Sequence, residues 1–278
     1  ITKNPPSVFN VNVLNDLTND GIWSPTKTLF NPNGSASIST NSGSPIKGNR
    51  FEMTREVPED TVKLLSDLTI SVGYMDIGFS TIILSNKKLT LDNTPSNSNG
   101  YLISDSGTVR SINSNLGLTA IYGTLNIEGN LRCNYATNFK DNLVIVDSFT
   151  NTFGGYIRCK NLYNYGTIYR TGNTYDVTVL EGDLVNLGEF EIFTLSINGP
   201  TDQNIYLNHT IKAQTWFVND LPPWGDFLFY KNGVPYDTVG FFDSLTISDV
   251  GSYYYRGIYG TDTLFSRTIK IEYLASIE

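Results

Sequence analysis

Residues that form catalytic and metal sites are scarce in this chain of 278 residues. It has two cysteines, one histidine and two methionines. A Cys/His zinc cluster therefore cannot be assembled, and a Ser-His-Asp triad would have to use His209. His209 stands in "YLNHTI", which predicts a turn entering a strand, so we expect a turn or surface role for it.

Positive charge is scarce as well. Charged residues make up 17% of the chain, and the formal net charge is −8. A nucleic-acid-binding protein usually carries a basic stripe. None is visible, and phosphate backbones and anionic membranes would repel this chain. We therefore expect no nucleic-acid partner.

Long apolar runs are missing too. No stretch of 18 apolar residues occurs, which predicts no membrane insertion by a helix. The opening "ITKNPPSVFN" lacks the basic region and apolar core of a signal peptide. We expect either that such a peptide was removed or that the chain is a fragment of a longer protein.

Aromatic, β-branched and turn-forming residues are abundant. There are 17 tyrosines and 15 phenylalanines, and this bias favours strands over helices. From about residue 10 to 195, short apolar strands alternate with Gly/Asn/Ser/Asp turns roughly every 6 to 12 residues. The one stretch that favours a short helical turn is "REVPEDTVKLL" at 55–65. The composition predicts an all-β protein.

A short phrase occurs three times. "NLYNYGTIYR" begins at residue 161, "DLVNLGEFEI" at 183 and "DLTNDGIW" at 16. A phrase that recurs about every 22 residues is typical of stacked coils. It predicts a right-handed parallel β-solenoid of about eight coils, in which each strand pairs with its equivalent one turn later at about 4.8 Å.

The phrase also predicts structural roles for its repeated residues. A leucine would lie in the core, an asparagine would bond along the axis at a corner, and a glycine would supply the backbone freedom that the corner needs. The predicted stacked pairs are Leu162 with Leu184, Asn164 with Asn186, and Gly166 with Gly188.

The two cysteines stand in matching local frames, "NLRCNY" and "YIRCKN". We expect Cys133 and Cys159 to be near neighbours on adjacent coils, where a Cα separation of about 4.8 Å falls in the range of a disulfide. Because stacked side chains point the same way, the arrangement favours two buried thiols over a disulfide. The sequence alone leaves both alternatives open.

The phrase N/D-L-x-N-x-G-x-I/F and the run "VKLLSDLTISVGYMDIGFSTIILSNKKLTLDN" carry a resemblance. They resemble the repeats of filamentous-haemagglutinin-like adhesins and of large β-solenoid surface proteins of Bacteroidota, over about residues 10 to 195. The resemblance implies a secreted or cell-surface location and an adhesive or structural role. It brings no catalytic residues.

A second resemblance lies near the C-terminus, in "SLTISDVGSYYYRGIYG" at 244–260. Asp249, Gly251 and Tyr253 match the D-x-G-x-Y phrase that opens strand F of immunoglobulin-like domains. Tyr255 stands where antibody domains have cysteine, and Phe229, in "FLFYKNGVPY", stands where strand C has tryptophan. The resemblance implies an Ig-like β-sandwich over 196–278 after a solenoid over 1–195. Tyr253 would bond its hydroxyl back to the preceding corner.

The sequence gives little support for a catalytic site or a metal site. Enzymes built on parallel β-helices need paired carboxylates or a calcium-assisted base on an exposed face. Glu189 and Glu191 share a strand face, which favours plain solubility, and the Asp92, Asn93 and Asn97 turn lacks calcium-loop spacing. We expect no enzyme, no cofactor and no metal. The other groups considered were Asp176, Glu181, Asp183, Arg158, Lys160 and Arg170.

Aromatic side chains are the candidates for binding. Tyr163, Tyr165 and Tyr169 occupy the variable, outward positions of the repeat, and Trp224 lies in the expected loop between strands B and C. Exposed aromatic rings stack on sugars, but tyrosine also covers strand surfaces simply through its β-propensity, and we favour that second interpretation.

We expect a non-enzymatic extracellular adhesin or structural display protein, secreted or on a cell surface, with a cell-surface or carbohydrate ligand. The alternative is a carbohydrate-binding or carbohydrate-active β-helix with an accessory Ig-like module. A third hypothesis is a cargo of bacterial secretion or outer-membrane machinery, with the Ig-like module as its sorting signal.

Overall fold

Strands are the only regular secondary structure in the part of the chain that the computed structural model describes. Within that part no helix is long and apolar enough to cross a membrane. The described residues are 10–21, 23–31, 34–40, 44–53, 60–95, 100–118, 120–133, 137–151, 157–170, 177–180, 182–190, 194–197, 202–207, 213–215, 226–237, 245–247 and 250–273.

The strands are short and follow one another closely. The first nine are β1 (Asn10–Val13), β2 (Leu17–Asn19), β3 (Lys27–Phe30), β4 (Ser35–Thr40), β5 (Ile46–Met53), β6 (Thr61–Leu64), β7 (Leu68–Asp76), β8 (Thr81–Ser85) and β9 (Lys88–Asp92). The next eleven are β10 (Tyr101–Asn115), β11 (Ala120–Cys133), β12 (Thr137–Ile145), β13 (Ser148–Asn151), β14 (Ile157–Asn164), β15 (Thr167–Arg170), β16 (Val177–Leu180), β17 (Leu184–Asn186), β18 (Glu189–Phe190), β19 (Thr194–Ile197) and β20 (Gln203–Leu207). The last seven are β21 (Ala213–Thr215), β22 (Asp226–Lys231), β23 (Val234–Asp237), β24 (Leu245–Ile247), β25 (Gly251–Tyr259), β26 (Asp262–Phe265) and β27 (Ile269–Tyr273).

Parallel pairing between each strand and its equivalent one turn later builds a β-solenoid of about seven turns. Three stacks of strands result. The first stack contains β4, β6, β8, the first parts of β10, β11, β12 and β14, and then β16 and β19. The second stack contains β9, the middle of β10 and β11, the ends of β12 and β14, and then β17 and β20. The third stack contains the ends of β10 and β11, followed by β13, β15 and β18. In the N-terminal coils, β1, β3, β5 and β7 pair in turn, and the start of β7 pairs with β9.

Apolar columns along the axis form the core. Alternation along each strand turns every second side chain inward, so equivalent inward residues lie over one another. The length of a coil varies, from 17 residues between Val177 and Thr194 to 26 between Ala36 and Val62. A constant period of 22 residues predicted about eight coils, and the solenoid has about seven turns. The column of the first stack reads Val62, Ile82, Leu102, Ile121, Phe139 and Cys159.

The repeated leucines and asparagines lie in the second stack. Leu162 pairs with Leu184 and Asn164 with Asn186, and all four side chains are fully buried. Asn164 Nδ2 donates to Asn186 Oδ1 at 2.6 Å and to the Glu189 carbonyl oxygen at 2.9 Å. The amides therefore join two coils inside the core, where an unmade bond would be costly.

The repeated glycines are needed for a different reason from the predicted one. Neither Gly166 nor Gly188 has a φ in the left-handed region. A Cβ at Gly188 would lie 1.8 Å from the Gly166 carbonyl oxygen, and one at Gly166 would lie 1.9 Å from that of Asp147. These glycines allow the backbones of successive corners to approach closely, so backbone freedom is the wrong explanation.

The copy of the phrase at residue 16 occupies another stack. Leu17 pairs with Ile38 and Asn19 with Thr40, in a β2–β4 pair that continues into the first stack. Leu17 and Asn19 are buried as in the other copies, but a Cβ on Gly21 would meet nothing within 4 Å. The phrase thus encodes a strand followed by a corner and does not specify a face of the solenoid.

The two cysteines are not neighbours, so that prediction is wrong. Cys159 pairs with Phe139 and Leu180 in the first stack, whereas Cys133 pairs with Asn151 in the third. Their matching frames arise because both stacks alternate apolar and polar residues. Cys159 is a fully buried thiol and is not part of a disulfide.

The helical turn expected over 55–65 is also wrong where the chain is described there. Residues 61–64 form β6, which pairs with β4 and β8. Val62 and Leu64 face the core and Lys63 faces solvent. This alternation of buried and exposed side chains is that of a strand and not of a helical turn.

Antiparallel pairing begins after the last solenoid strand. β22 pairs with β23 and β25, β25 pairs with β26 and β27, and β21 pairs only with β24 among the described strands. Asn232 and Gly233, with φ of 53° and 78°, form the two-residue turn between β22 and β23.

An aromatic cluster fills this C-terminal unit. Phe229, Tyr253 and Tyr255 are buried, and the Phe229 ring lies 5.8 Å from that of Tyr253 and 4.9 Å from that of Tyr255. A Cβ on Gly251 would lie 3.1 Å from Asn232 Oδ1. Asp249 is outside the described residues.

One strand joins the two parts of the molecule. In β20, Ile205 pairs with Leu184 of the solenoid on one side and with Ile271 of β27 on the other, both in parallel. The sheet therefore continues from the coils into the C-terminal unit.

Replacing Gly188 by alanine tests the close approach of the corners. We expect Gly188→Ala to lower the free energy of unfolding by about 3 kcal/mol, because the new Cβ must displace a backbone carbonyl. Gly21→Ala is the matched control and should change it by less than about 0.5 kcal/mol. Urea unfolding followed by circular dichroism measures both, and equal losses would contradict the explanation.

Truncating the asparagines tests the buried ladder. We expect Asn186→Ala to cost about 2 kcal/mol, because Asn164 loses a buried partner, while the exposed Asn49→Ala leaves stability unchanged. In a double-mutant cycle, Asn164→Ala and Asn186→Ala should couple by about 1 kcal/mol. Additive losses in urea unfolding would show that the two amides act separately.

Candidate functional site

The tyrosines predicted as binding residues lie on the outside of the second stack. Tyr163 projects from β14 between Val144 and Val185 of the neighbouring coils and is half-buried. Tyr165 follows at the corner and is 51% exposed. Tyr169 belongs to β15 and pairs with Thr150 in the third stack, so the three tyrosines do not lie on one stack of strands. Trp224 and His209 are outside the described residues.

The corner of Tyr165 carries an exposed apolar ladder. Val146, Tyr165 and Leu187 occupy equivalent positions of three successive coils, because each directly follows one of the paired residues Ile145, Asn164 and Asn186. Their exposed fractions are 45%, 51% and 42%.

A second apolar column runs beside this ladder. Val144, Tyr163, Val185 and Tyr206 pair in turn along the stack and are all half-buried. The two columns form one surface, which we call the corner patch and which consists of Val144, Val146, Tyr163, Tyr165, Val185, Leu187 and Tyr206.

The patch is confined to the C-terminal coils of the solenoid. One coil earlier, its two columns hold Asn126 and Glu128, and Lys88 Nζ lies 2.8 Å from Glu128 Oε2. Beyond Tyr206 the next strand presents Glu272, whose hydrogen bond and charge raise the pKa of Lys270. An apolar surface with polar borders is typical of an interaction site.

One carboxylate near the patch, that of Asp183, serves the backbone. Asp183 Oδ1 accepts a 2.8 Å hydrogen bond from the Asn204 amide of the next coil. Glu189 is exposed and pairs with Thr167. The other acidic candidates, Asp176, Glu181 and Glu191, are outside the described residues.

The first residue of the repeated phrase has a role that the sequence interpretation missed. Its side-chain oxygen accepts the backbone amide of the equivalent residue one coil later, at 2.7 to 2.9 Å. All three copies make this contact: Asp16 to Ser37, Asn161 to Asp183, and Asp183 to Asn204. Asp67, which is outside the three copies, makes the same contact with Lys88. The sequence signal that could have revealed this role is that the position holds only Asn or Asp. Both side chains carry an oxygen atom at the same distance from the backbone.

Asp92 and Asn93 belong to the turn whose sequence lacks the spacing of a calcium-binding loop. Asp92 accepts hydrogen bonds from Ser71 Oγ at 3.3 Å and from Asn93 Nδ2 at 2.8 Å, and Asn97 is outside the described residues. Over the part of the chain that can be described, no group of three or more His, Cys, Asp or Glu residues could hold a metal ion.

Changing Asp183 tests the bond between coils. Asp183→Ala should cost about 1 kcal/mol, because the Asn204 amide loses its acceptor, whereas Asp183→Asn should keep most of the stability, since Asn161 makes the same contact with an amide oxygen. Thermal unfolding measures both, with the exposed Asp20→Ala as control. An Asp183→Asn loss as large as that of Asp183→Ala would contradict this role.

Comparison with known proteins gives no relative for this arrangement. No protein-family model, no curated protein and no solved structure matches the chain. The likeness to adhesin repeats and to an Ig-like domain therefore stays a prediction.

Proposed function

We propose that this chain is a non-enzymatic extracellular protein of the adhesin or display type, secreted or held on a cell surface. Its solenoid is a stiff spacer, and the corner patch is its adhesive surface. The observation that supports this proposal is the unbroken sheet of 25 strands that runs through the solenoid into the C-terminal unit. Bending such a rod would break several backbone hydrogen bonds at once, so the patch is held at a fixed place on it.

The C-terminal unit is, in this proposal, an Ig-like sandwich that closes the rod. The order β23–β22–β25–β27–β20 and the separate β21–β24 pair are compatible with two facing sheets of that class. A solenoid that ends in an open strand exposes unpaired backbone groups. β27 pairs with β20 and so covers this edge, which is the physical reason for such a module here.

Adhesion is favoured over other roles by the composition of the corner patch. It combines three tyrosines with aliphatic side chains. Tyrosine brings large contact area at low entropic cost to recognition surfaces. The patch therefore suits reversible binding of an extended surface.

A second candidate function is carbohydrate binding on the same patch. Tyr163 and Tyr206 occupy one column two coils apart, about 9.6 Å at a spacing of about 4.8 Å per strand. Two aromatic rings in line can stack on sugar units of one linear chain. This observation favours a glycan ligand over a protein surface.

An array experiment tests the proposal. The full chain is applied to a surface printed with neutral glycans, collagen and fibronectin, and bound protein is measured by fluorescence. The variant Tyr165→Ser/Leu187→Ser should lose about tenfold in binding. The control Leu14→Ser/Leu65→Ser, whose exposed leucines lie in the N-terminal coils, should bind as the natural chain does.

Each outcome has a clear meaning. Binding to glycan spots alone supports the second candidate, and binding to protein spots supports the first. Absence of binding to every spot, or equal binding by the two double variants, would refute an adhesive corner patch. Release of sugar from the printed glycans would refute a non-enzymatic role.

A further inference from the structure

A second surface, on the first stack, combines aromatic and basic side chains. Tyr122, Lys140 and Lys160 follow Ile121, Phe139 and Cys159, which pair across three successive coils. All three side chains are exposed, and Lys140 lies at an irregularity in the strand pairing that follows Phe139.

The adjacent outward column adds a third cation. Asn138 pairs with Arg158 one coil later, and Arg158 is exposed on the same strand as Lys160, two residues before it. We call Tyr122, Lys140, Arg158 and Lys160 the cationic strip. It places three positive groups on two neighbouring coils of a chain whose net charge is −8.

The acidic residue next to the strip does not cancel it by pairing. Asp141 follows Lys140, and its Oδ2 accepts a 2.8 Å hydrogen bond from the Gly123 amide. The carboxylate therefore serves the backbone of the preceding coil. The apolar residues Ile83 and Ile103 extend the Tyr122 column toward the N-terminal coils.

We propose that the cationic strip binds a linear polyuronate, a polysaccharide with one carboxylate on each sugar. Charge complementarity carries the argument, since the strip is a local positive site on an acidic protein. The lysine positions recur at about 4.8 Å, one per coil, which suits a polymer whose charges also recur along its length. The Tyr122 ring, which is 42% exposed, offers a stacking face for a sugar.

This site is separate from the corner patch, which lies on the second stack. Nucleic acid and anionic membranes present negative charge over much larger areas, and the whole-chain charge of −8 opposes their approach. Three cations in a narrow strip favour a single polymer chain.

Titration calorimetry of the full chain with sodium polygalacturonate tests the proposal. Binding should weaken as salt rises, and Lys140→Gln/Lys160→Gln should weaken it about tenfold by removing two exposed charge contacts. The control Lys47→Gln/Lys87→Gln removes the same charge elsewhere and should leave affinity within about twofold, since the lost contribution is only long-range. Tyr122→Phe should retain binding and Tyr122→Ala should lose it.

Other ligands separate the alternatives. Equal binding of neutral dextran would overturn the role of charge, and binding of dextran sulfate or duplex DNA without polygalacturonate would overturn the uronate assignment. Equal losses in the two lysine double variants would overturn the site. Retained array binding by Lys140→Gln/Lys160→Gln shows that the corner patch works independently, so failure of one proposal is distinguishable from failure of the other.

Discussion

Backbone hydrogen bonds between successive coils are the constraint on which the rest of this structure depends. Each inner strand is paired on both sides, as β14 is with β12 and with β16 and β17. This pairing fixes the spacing between coils at the distance of a parallel sheet, about 4.8 Å. Inward residues of equivalent strands then must lie over one another, and any residue at a corner must fit beneath the next corner.

Polar side chains inside the coils follow from that constraint. A corner that turns toward the next stack leaves backbone groups without strand partners, and buried groups of this kind need hydrogen bonds. Asn186 Nδ2 donates to the Gly188 carbonyl oxygen at 3.0 Å, within its own corner. Asn161 makes bonds in both axial directions, since it donates to Asn142 and accepts from Asp183. Asparagine suits this position because one amide both donates and accepts.

Function is thereby limited to the outward positions between these structural residues. On the second stack those positions become apolar only in the last coils and form the corner patch. On the first stack they change from apolar, at Ile103, to cationic, at Lys140 and Lys160. The two surfaces differ in chemistry although the same alternation creates both, which is why one rod can present two separate sites.

The sequence predicted which residues of the repeat lie in the core and at the corners. It did not predict in which stack of strands each copy lies. Leu162 and Asn164 lie where a stacked repeat puts a core leucine and a corner asparagine, because local alternation decides which residues point inward. The stack that holds Leu17 was not predictable, since it depends on how many residues each turn inserts. Cys133 and Cys159 show the same difficulty, because similar frames occur in two stacks.

The corner patch was only partly predictable. Tyr163 and Tyr165 stand in an obvious copy of the phrase, but Val146 stands in "NLVIVDS", where Ile145 replaces the asparagine. A search that allowed an apolar residue at that position would have placed this copy one coil below Asn164. The contribution of Tyr206 depends on β20, whose pairing with both β17 and β27 has no signal in the repeat.

Cross-strand nuclear Overhauser effects at β20 test the central claim most directly. In a deuterated sample of the full chain, selectively protonated at isoleucine and leucine, the account predicts that Ile205 shows contacts of parallel pairing both to Leu184 and to Ile271. Contacts to Leu184 without any to Ile271, or antiparallel contacts on either side, would contradict a sheet that continues from the coils into the C-terminal unit.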